Sequence, residues 1–325
     1  MRVLRPLPDV PSFSARAYRK LLRARDSSVL SYIPDVIRSL HAWKFNSHAP
    51  IIVNNDPELA ACISTVRPNA RVISIFHNEL ALSRPWLGYV RRSNVTHVAV
   101  SRYLARSVAA QLALPLSNVQ VVYNGVDYGT FHPEERLKTN HPPVIGFVGR
   151  VGREKGLDVL LEACQDLAQS RSDFSVTIIG SNRWGPRTED DYQRELDSQV
   201  AVLRKLGISV SRLGHLGRAD LPMEIRKFDV QVIPSRWAEP FGLVALEGMA
   251  SGVATITSDR GGLPELMSSA GHTFPSQRPE RLADELRLLL DNPALRDQLG
   301  VVARERALQF SWRNTWTMLE NLLLV

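Results

Sequence analysis

Glycines, cations and carboxylates gather in two segments of the second half of the chain, with spacings suited to handling an anionic phosphate. The first is Gly149-Arg150-Val151-Gly152-Arg153-Glu154-Lys155-Gly156, placed between the apolar run Val144–Val148 and the amphipathic stretch Leu157–Ala168. A strand, a glycine-bearing turn and a helix in that order aim free backbone amides and the positive end of the helix dipole at one point. Gly149 allows close backbone approach, while Arg150 and Lys155 carry full positive charge for a diphosphate. Glycine-rich turns are common, so taken alone the segment also reads as a plain βα connection with solvated basic residues. Arg153 reads as such a solvated companion.

The second segment runs from Pro234 to Gly252 and holds Glu239-Pro240-Phe241-Gly242-Leu243 and Glu247. Pro240 and Gly242 break the chain just before a helix expected to start near Leu243. The amides of Phe241, Gly242 and Leu243 can then face a phosphate. Glu247 falls about one turn inside that helix, placed to accept hydrogen bonds from ribose hydroxyls. A glycosidase acid/base pair is disfavoured. Eight helical residues would hold Glu239 and Glu247 about 12 Å apart, beyond the roughly 5–9.5 Å such pairs need, a figure loosened by the helix starting after Glu239. The eight histidines are scattered, and none joins a carboxylate cluster with ligand spacing, so no metal is expected.

These segments need a scaffold of alternating strands and helices. Val144–Val148, Phe174–Ile179, Asp229–Ile233 and Val253–Thr257 are short runs rich in Val and Ile, as in parallel strands buried on both faces. Helical stretches separate them at Leu157–Ala168, Asp191–Leu206 and Gly242–Ala250, the order of βαβ units. The first half carries candidate strands at Ile51–Val53, Val72–Phe76, His97–Val100 and Val119–Val122. The expected division is a first domain at 1–127, a linker at 128–142 and a second domain at 143–308. A last helix within 309–325 carries Trp312, Trp316 and Leu319 on one side and is expected to pack back on the first domain.

The 325 residues suffice for two domains, and 44% hydrophobic with 22% charged residues is the balance of a globular protein. No apolar run reaches membrane-spanning length. The first residues lack an apolar core followed by a small-residue cleavage site, so no secretory signal is expected. Cys62 and Cys164, the only cysteines, read as small buried residues and fit a reducing cytoplasm. The net charge of +7 is uneven: residues 1–127 hold 16 Lys and Arg against 7 Asp and Glu. Arg16, Arg19, Lys20 and Arg23 share one helical face, and Arg84, Arg91, Arg92, Arg102 and Arg106 follow in a segment without acidic residues. Two readings stand side by side: two solvated faces, or an interface with anionic lipid headgroups or a lipid-linked acceptor. No nucleic-acid motif accompanies the charge, so nucleic acid is not an expected partner.

Residues 143–275 resemble the donor domain of the retaining glycosyltransferases of family 4, which have the α/β GT-B fold. The matching pieces are Gly149-Arg150 with Lys155-Gly156, Glu239-Pro240-Phe241-Gly242 with Glu247, and Ser258-Asp259-Arg260-Gly261-Gly262-Leu263-Pro264-Glu265. Upstream, Tyr123-Asn124-Gly125-Val126-Asp127 with Phe131, and Phe76-His77-Asn78, match in the same order. The resemblance implies two Rossmann-like domains facing a cleft. The N-terminal one is expected to be reduced, with 124 residues before Gly125, and Pro8–Ala15 has no glycine where the family places a glycine-glycine loop. It implies a nucleotide-sugar substrate, a UDP- or GDP-sugar, and no cofactor. Catalysis is expected to rest on His77 beside the sugar, Arg150 and Lys155 on the diphosphate, and Glu239 on the sugar hydroxyls. Nucleotide binding is expected at Gly149, Arg150, Lys155, Phe241, Gly242, Leu243 and Glu247, with the base near Leu213–Arg218 and a modest ligand role for Glu265. The implied reaction moves a sugar with retention to an acceptor hydroxyl of a saccharide or lipid-linked acceptor. The expected setting is cell-surface polysaccharide or glycoconjugate synthesis in the cytoplasm, peripheral to the inner membrane face on the lipid reading of the basic residues. The alternatives are a non-catalytic nucleotide-sugar binder and an epimerase or hydrolase acting on the nucleotide-sugar alone.

Overall fold

The structure is a computed structural model that describes residues 50–133, 142–181 and 190–324. The glycine-free segment Pro8–Ala15 and the basic face of Arg16, Arg19, Lys20 and Arg23 lie outside the described residues, as does most of the expected linker. The chain divides into two compact units, Met1–Val122 with Leu319–Val325, and Tyr123–Met318.

The first unit holds a parallel sheet of β1 (Ile51–Asn54), β2 (Val72–Phe76), β3 (Val95–Ala99) and β4 (Val119–Val121), in that order. Every residue of β2 is buried, which suits its β-branched and aromatic sequence VISIF. Three helices connect the strands: α1 (Pro57–Val66), α2 (Arg84–Arg92) and α3 (Arg102–Leu112). The sequence sets their starts. The Asp56 carboxylate accepts from the Leu59 amide at 2.9 Å with Pro57 following, and the Ser101 hydroxyl accepts from Leu104 at 3.0 Å. In α2, Trp86 and Val90 turn inward, Trp86 against Cys62, while Arg84, Arg91 and Arg92 are exposed.

The second unit is a six-stranded parallel sheet in the order β10-β9-β8-β5-β6-β7. The strands are β5 (Val144–Val148), β6 (Ser175–Ile179), β7 (Ser209–Gly214), β8 (Val230–Ile233), β9 (Ala254–Ser258) and β10 (His272–Phe274). The chain runs outward from β5 to β7, returns to place β8 against β5, then runs outward the other way. The order therefore reverses between β5 and β8, and open parallel sheets bind their ligands beyond the carboxyl ends of such a strand pair. The helices are α4 (Leu157–Leu167), α5 (Asp190–Lys205), α6 (Leu221–Ile225), α7 (Leu243–Ala250), α8 (Leu263–Met267), α9 (Pro279–Asp291), α10 (Pro293–Ala307) and α11 (Trp312–Leu324). Leu157, Leu160, Leu161, Cys164 and Leu167 of α4 are buried in one core with Ile145, Phe147, Leu196 and Leu286. Each leucine so buried contributes about 2 kcal/mol. The end of α11 groups with the first unit, where the Arg71 guanidinium donates to the Leu322 carbonyl at 3.1 Å.

Candidate functional site

The two segments singled out in the sequence leave the carboxyl ends of β5 and β8, the adjacent pair at the reversal of strand order. After β5 the chain makes a single 3-10 turn at Arg153–Lys155 and enters α4 through Gly156. Gly156 has φ of 68°, and a Cβ there would lie 2.0 Å from the Pro234 carbonyl oxygen. Only glycine combines that conformation with that approach, so the first segment lies directly against the start of the second. The Glu154 carbonyl completes the join, accepting from the amides of Arg236 at 2.9 Å and Trp237 at 3.0 Å and from the Ser235 hydroxyl at 3.2 Å.

This backbone contact brings the Lys155 ammonium to 2.5 Å from Glu239 Oε1, which also accepts from Ser235 at 2.9 Å. Both partners are largely shielded from water, so neither charge is isolated. Gly261-Gly262 packs behind the same loop, with the Gly262 amide donating to the Glu239 carbonyl at 2.6 Å. Arg150 is exposed and pairs with Glu154 at 2.9 Å. Gly149 closes β5, its amide donating to Ile179 at 3.0 Å.

Gly242 directly precedes α7, whose first residue is Leu243. Phe241 is buried, its ring 6.1 Å from Tyr123 and 5.8 Å from Phe310. That anchor holds the turn at the amino end of α7, where free amides and the helix dipole favour an anion. Glu247 lies one turn further on. Burial pushes its carboxyl up to about 7, against the opposing pull of the nearby Arg218 cation. The structure thus brings Glu247 together with the Leu213–Arg218 segment. Glu265 is engaged by the Tyr123 hydroxyl at 2.7 Å.

His77 belongs to the first unit, at the carboxyl end of β2. Its amide donates to Asn55 Oδ1 at 2.6 Å, and its Nε2 lies 3.1 Å from Asn54 Oδ1. With that oxygen as acceptor, Nε2 carries the proton and Nδ1 is the acceptor of the neutral ring. Burial lowers its pKa and favours that neutral form. The structure therefore joins Lys155 to Glu239, places Gly149 at the end of β5 with Arg150 paired to Glu154, and places Phe241, Gly242, Leu243 and Glu247 at the start of α7. Asp158, Tyr192 and Arg236, hydrogen-bonded to one another beside the two loops, were not singled out from sequence. The one signal for them was an acidic residue in the first turn of the helix after Gly156. Among the described residues, no group of three His, Cys, Asp or Glu is placed to hold a metal ion.

Comparison with known proteins gives the family. Residues 130–306 match the family described as Glycosyl transferases group 1. Glycogen synthase of Mycobacterium tuberculosis is 31% identical over 296 residues, covering 88% of this chain and 68% of that one. Spore coat protein SA of Bacillus subtilis is 28% identical over 294 residues, covering 84% and 76%. Among solved structures, Anabaena Alr3699/HepE in complex with UDP superposes with a TM-score of 0.76 at 21% identity, covering 90% of this chain and 82% of that one. The chain is a glycosyltransferase with the GT-B fold and belongs to the group 1 glycosyl transferases.

Proposed function

We propose that the protein transfers a sugar, with retention, from a UDP- or GDP-sugar to an acceptor hydroxyl, with the second unit as its donor domain. The carrying observation is the Lys155–Glu239 contact at the reversal of strand order, beside the amino end of α7. In this reading the diphosphate lies against Arg150, Lys155 and the amides of Gly242 and Leu243. Glu247 accepts from the ribose hydroxyls and Glu239 from those of the sugar. The bond between the anomeric carbon and the diphosphate oxygen breaks, and the acceptor oxygen bonds to the same face of that carbon. The acceptor proton passes to the departing phosphate. No protein nucleophile is needed, and catalysis rests on positioning and on stabilising the leaving group's charge. For His77 the reading rests on the likeness of Phe76-His77-Asn78 to the family. That Alr3699/HepE was solved with UDP and UDP-glucose supports a uridine donor.

The setting we propose is cell-surface polysaccharide or glycoconjugate synthesis at the cytoplasmic face of a membrane. The exposed Arg84, Arg91, Arg92, Arg102 and Arg106 of the first unit support attraction to anionic lipid. The test of the donor site is calorimetric titration with UDP, GDP, ADP and CMP, repeated on Arg150→Ala and Glu247→Ala. Selective binding of one diphosphate that is lost in both variants is the expected result. No binding of any nucleotide overturns the reading. Consumption of donor with no acceptor present at full rate would mean hydrolysis or epimerisation instead of transfer.

A further inference from the structure

Asp158 lies in the first turn of α4, three residues after Lys155, and is 4% exposed. A buried carboxylate needs partners for both oxygens. Here Oδ1 accepts from the hydroxyl of Tyr192, itself 1% exposed, at 2.8 Å, and Oδ2 accepts from the Arg236 guanidinium. The Tyr192 oxygen accepts in turn from the Asp158 amide at 3.3 Å. Tyr192 opens a row of contacts from the start of α5 to the first loop. The Arg153 guanidinium stacks 4.7 Å above its ring and pairs with Glu195 at 2.7 Å, and Gln193 donates to the Val151 carbonyl at 3.3 Å. Arg236 stands three residues before Glu239 on the loop that leaves β8.

We propose that Asp158 and Arg236 are positioning residues for the donor sugar: their pairing, braced by Tyr192, holds the loop of Glu239 in place once Lys155 is engaged by the diphosphate. The inference rests on the donor-site reading above. Without donor, Glu239 is held by Lys155 and Ser235. A bound diphosphate competes for the Lys155 ammonium, and the contact from Lys155 to Glu239 weakens when the sugar must be oriented. Ser235, Ser258 and Ser276 also hold that loop, by neutral hydrogen bonds, while its charged anchor independent of Lys155 is Arg236 on Asp158, on the side of α4 and α5. Its effect falls on the sugar half of the donor and leaves the nucleotide half alone. A purely structural contact would weaken both alike.

The experiment measures the dissociation constants of UDP and UDP-glucose for the wild type and for Arg236→Met, Arg236→Lys, Asp158→Asn and Tyr192→Phe. GDP and GDP-mannose are used if the nucleotide screen selects guanine. Arg236→Met and Asp158→Asn are expected to leave UDP within about threefold of wild type and to weaken UDP-glucose by tenfold or more. Arg236→Lys, which keeps the charge, recovers part of that loss, and Tyr192→Phe shows a smaller effect in the same direction. Should Asp158→Asn fail to fold, the partly exposed Arg236 still decides the matter. A ratio of the two constants within twofold of wild type in Arg236→Met overturns the inference and leaves the donor site standing, as does equal weakening of both ligands. A wild type that binds no nucleotide overturns the donor site and this inference with it.

Discussion

The Lys155 ammonium and the Glu239 carboxylate, 84 residues apart in sequence, meet at 2.5 Å because the loops after two adjacent parallel strands touch through the Gly156 backbone. In the reading proposed here the cation serves the diphosphate and the anion serves the sugar, so the pair is the junction of the two halves of the donor. Substitutions at the two ends then have opposite consequences for the nucleotide.

Lys155→Ala removes a phosphate cation and leaves a carboxylate poorly compensated. UDP affinity should fall about tenfold, equivalent to about 1.4 kcal/mol, with a further loss of stability of about 1–3 kcal/mol. Glu239→Gln keeps an acceptor for Lys155 and Ser235 but releases Lys155 from a competing anion. UDP affinity should hold or rise while turnover of the sugar nucleotide falls by about a hundredfold. Titration calorimetry and a turnover assay on both variants check the contrast. If both lose UDP affinity equally, the division of roles is wrong.

Glu247 yields a prediction on pH. Its folded pKa of about 7 lies above the ordinary value of 4.5 because of burial. Between those values the folded state holds a proton that the unfolded state has released, so stability falls as pH rises through 7. Glu247→Gln should therefore raise the melting temperature at pH 8, by up to about 3 kcal/mol in stability, and leave it unchanged near pH 4. Binding of ribose hydroxyls needs the ionised carboxylate, so wild-type affinity for UDP should decline below pH 7. Phosphate ionisation of UDP also contributes, and the pH profile of Glu247→Gln subtracts it. Matching profiles for the two proteins rule out Glu247 as the ribose acceptor.

The parallel sheets were legible because buried strands such as Val72–Phe76 and Val144–Val148 are continuous apolar runs between turn signals. β7 (Ser209–Gly214) was not, since it lies at the sheet edge with a mostly exposed SVSRLG sequence and no such run. β10 has three residues and shows no period at all. Within the site, Lys155, Glu239 and Glu247 were marked by nearby glycines and by the order of strand, loop and helix. Tyr192 and Arg236 carry no local mark, and Asp158 only that of an acidic residue in the first turn of a helix. Asp158 finds its partners 34 and 78 residues away, and only the packing of α4 against α5 and the β8 loop brings them together. α7 begins at Leu243, as its Pro240 and Gly242 breakers led one to expect, so Glu239 lies outside the helix and the figure of about 12 Å for eight helical residues does not fix its distance from Glu247.

His97 makes acid stability testable apart from the donor site. It is 3% exposed on β3, its ring packs edge-on to Phe76 at 5.9 Å, and its Nδ1 has no hydrogen-bond partner among the described residues. Burial lowers its pKa from 6.5 to about 4. Between these values the unfolded state binds a proton that the folded state refuses, so stability is lost as pH falls from 6.5 towards 4. The loss amounts to about 3 kcal/mol. His97→Leu should flatten the denaturation midpoint over that window. An undiminished slope in the variant would assign the acid sensitivity to other groups.

Gly248 and Gln231 make the last prediction, on the seating of the helix that carries Glu247. Gln231 lies on β8, fully buried, with Nε2 donating to the Val244 carbonyl of α7 at 3.0 Å. Its Oε1 would sit 1.5 Å from a Cβ at position 248, so the glycine is there to admit the carboxamide between sheet and helix. Gly248→Ala alone forces Gln231 or α7 to move and should cost about 1–3 kcal/mol. In a Gln231→Ser background the obstruction is gone, and the same alanine gains its helix propensity, about 1 kcal/mol over glycine. A double-mutant cycle by urea denaturation should show a coupling of about 2 kcal/mol or more. Nucleotide affinity should follow, since displacement of α7 moves Glu247 and the amides before it. It falls in Gly248→Ala and returns in the double variant. Additive stabilities would mean that the carboxamide does not set the height of α7 above the sheet.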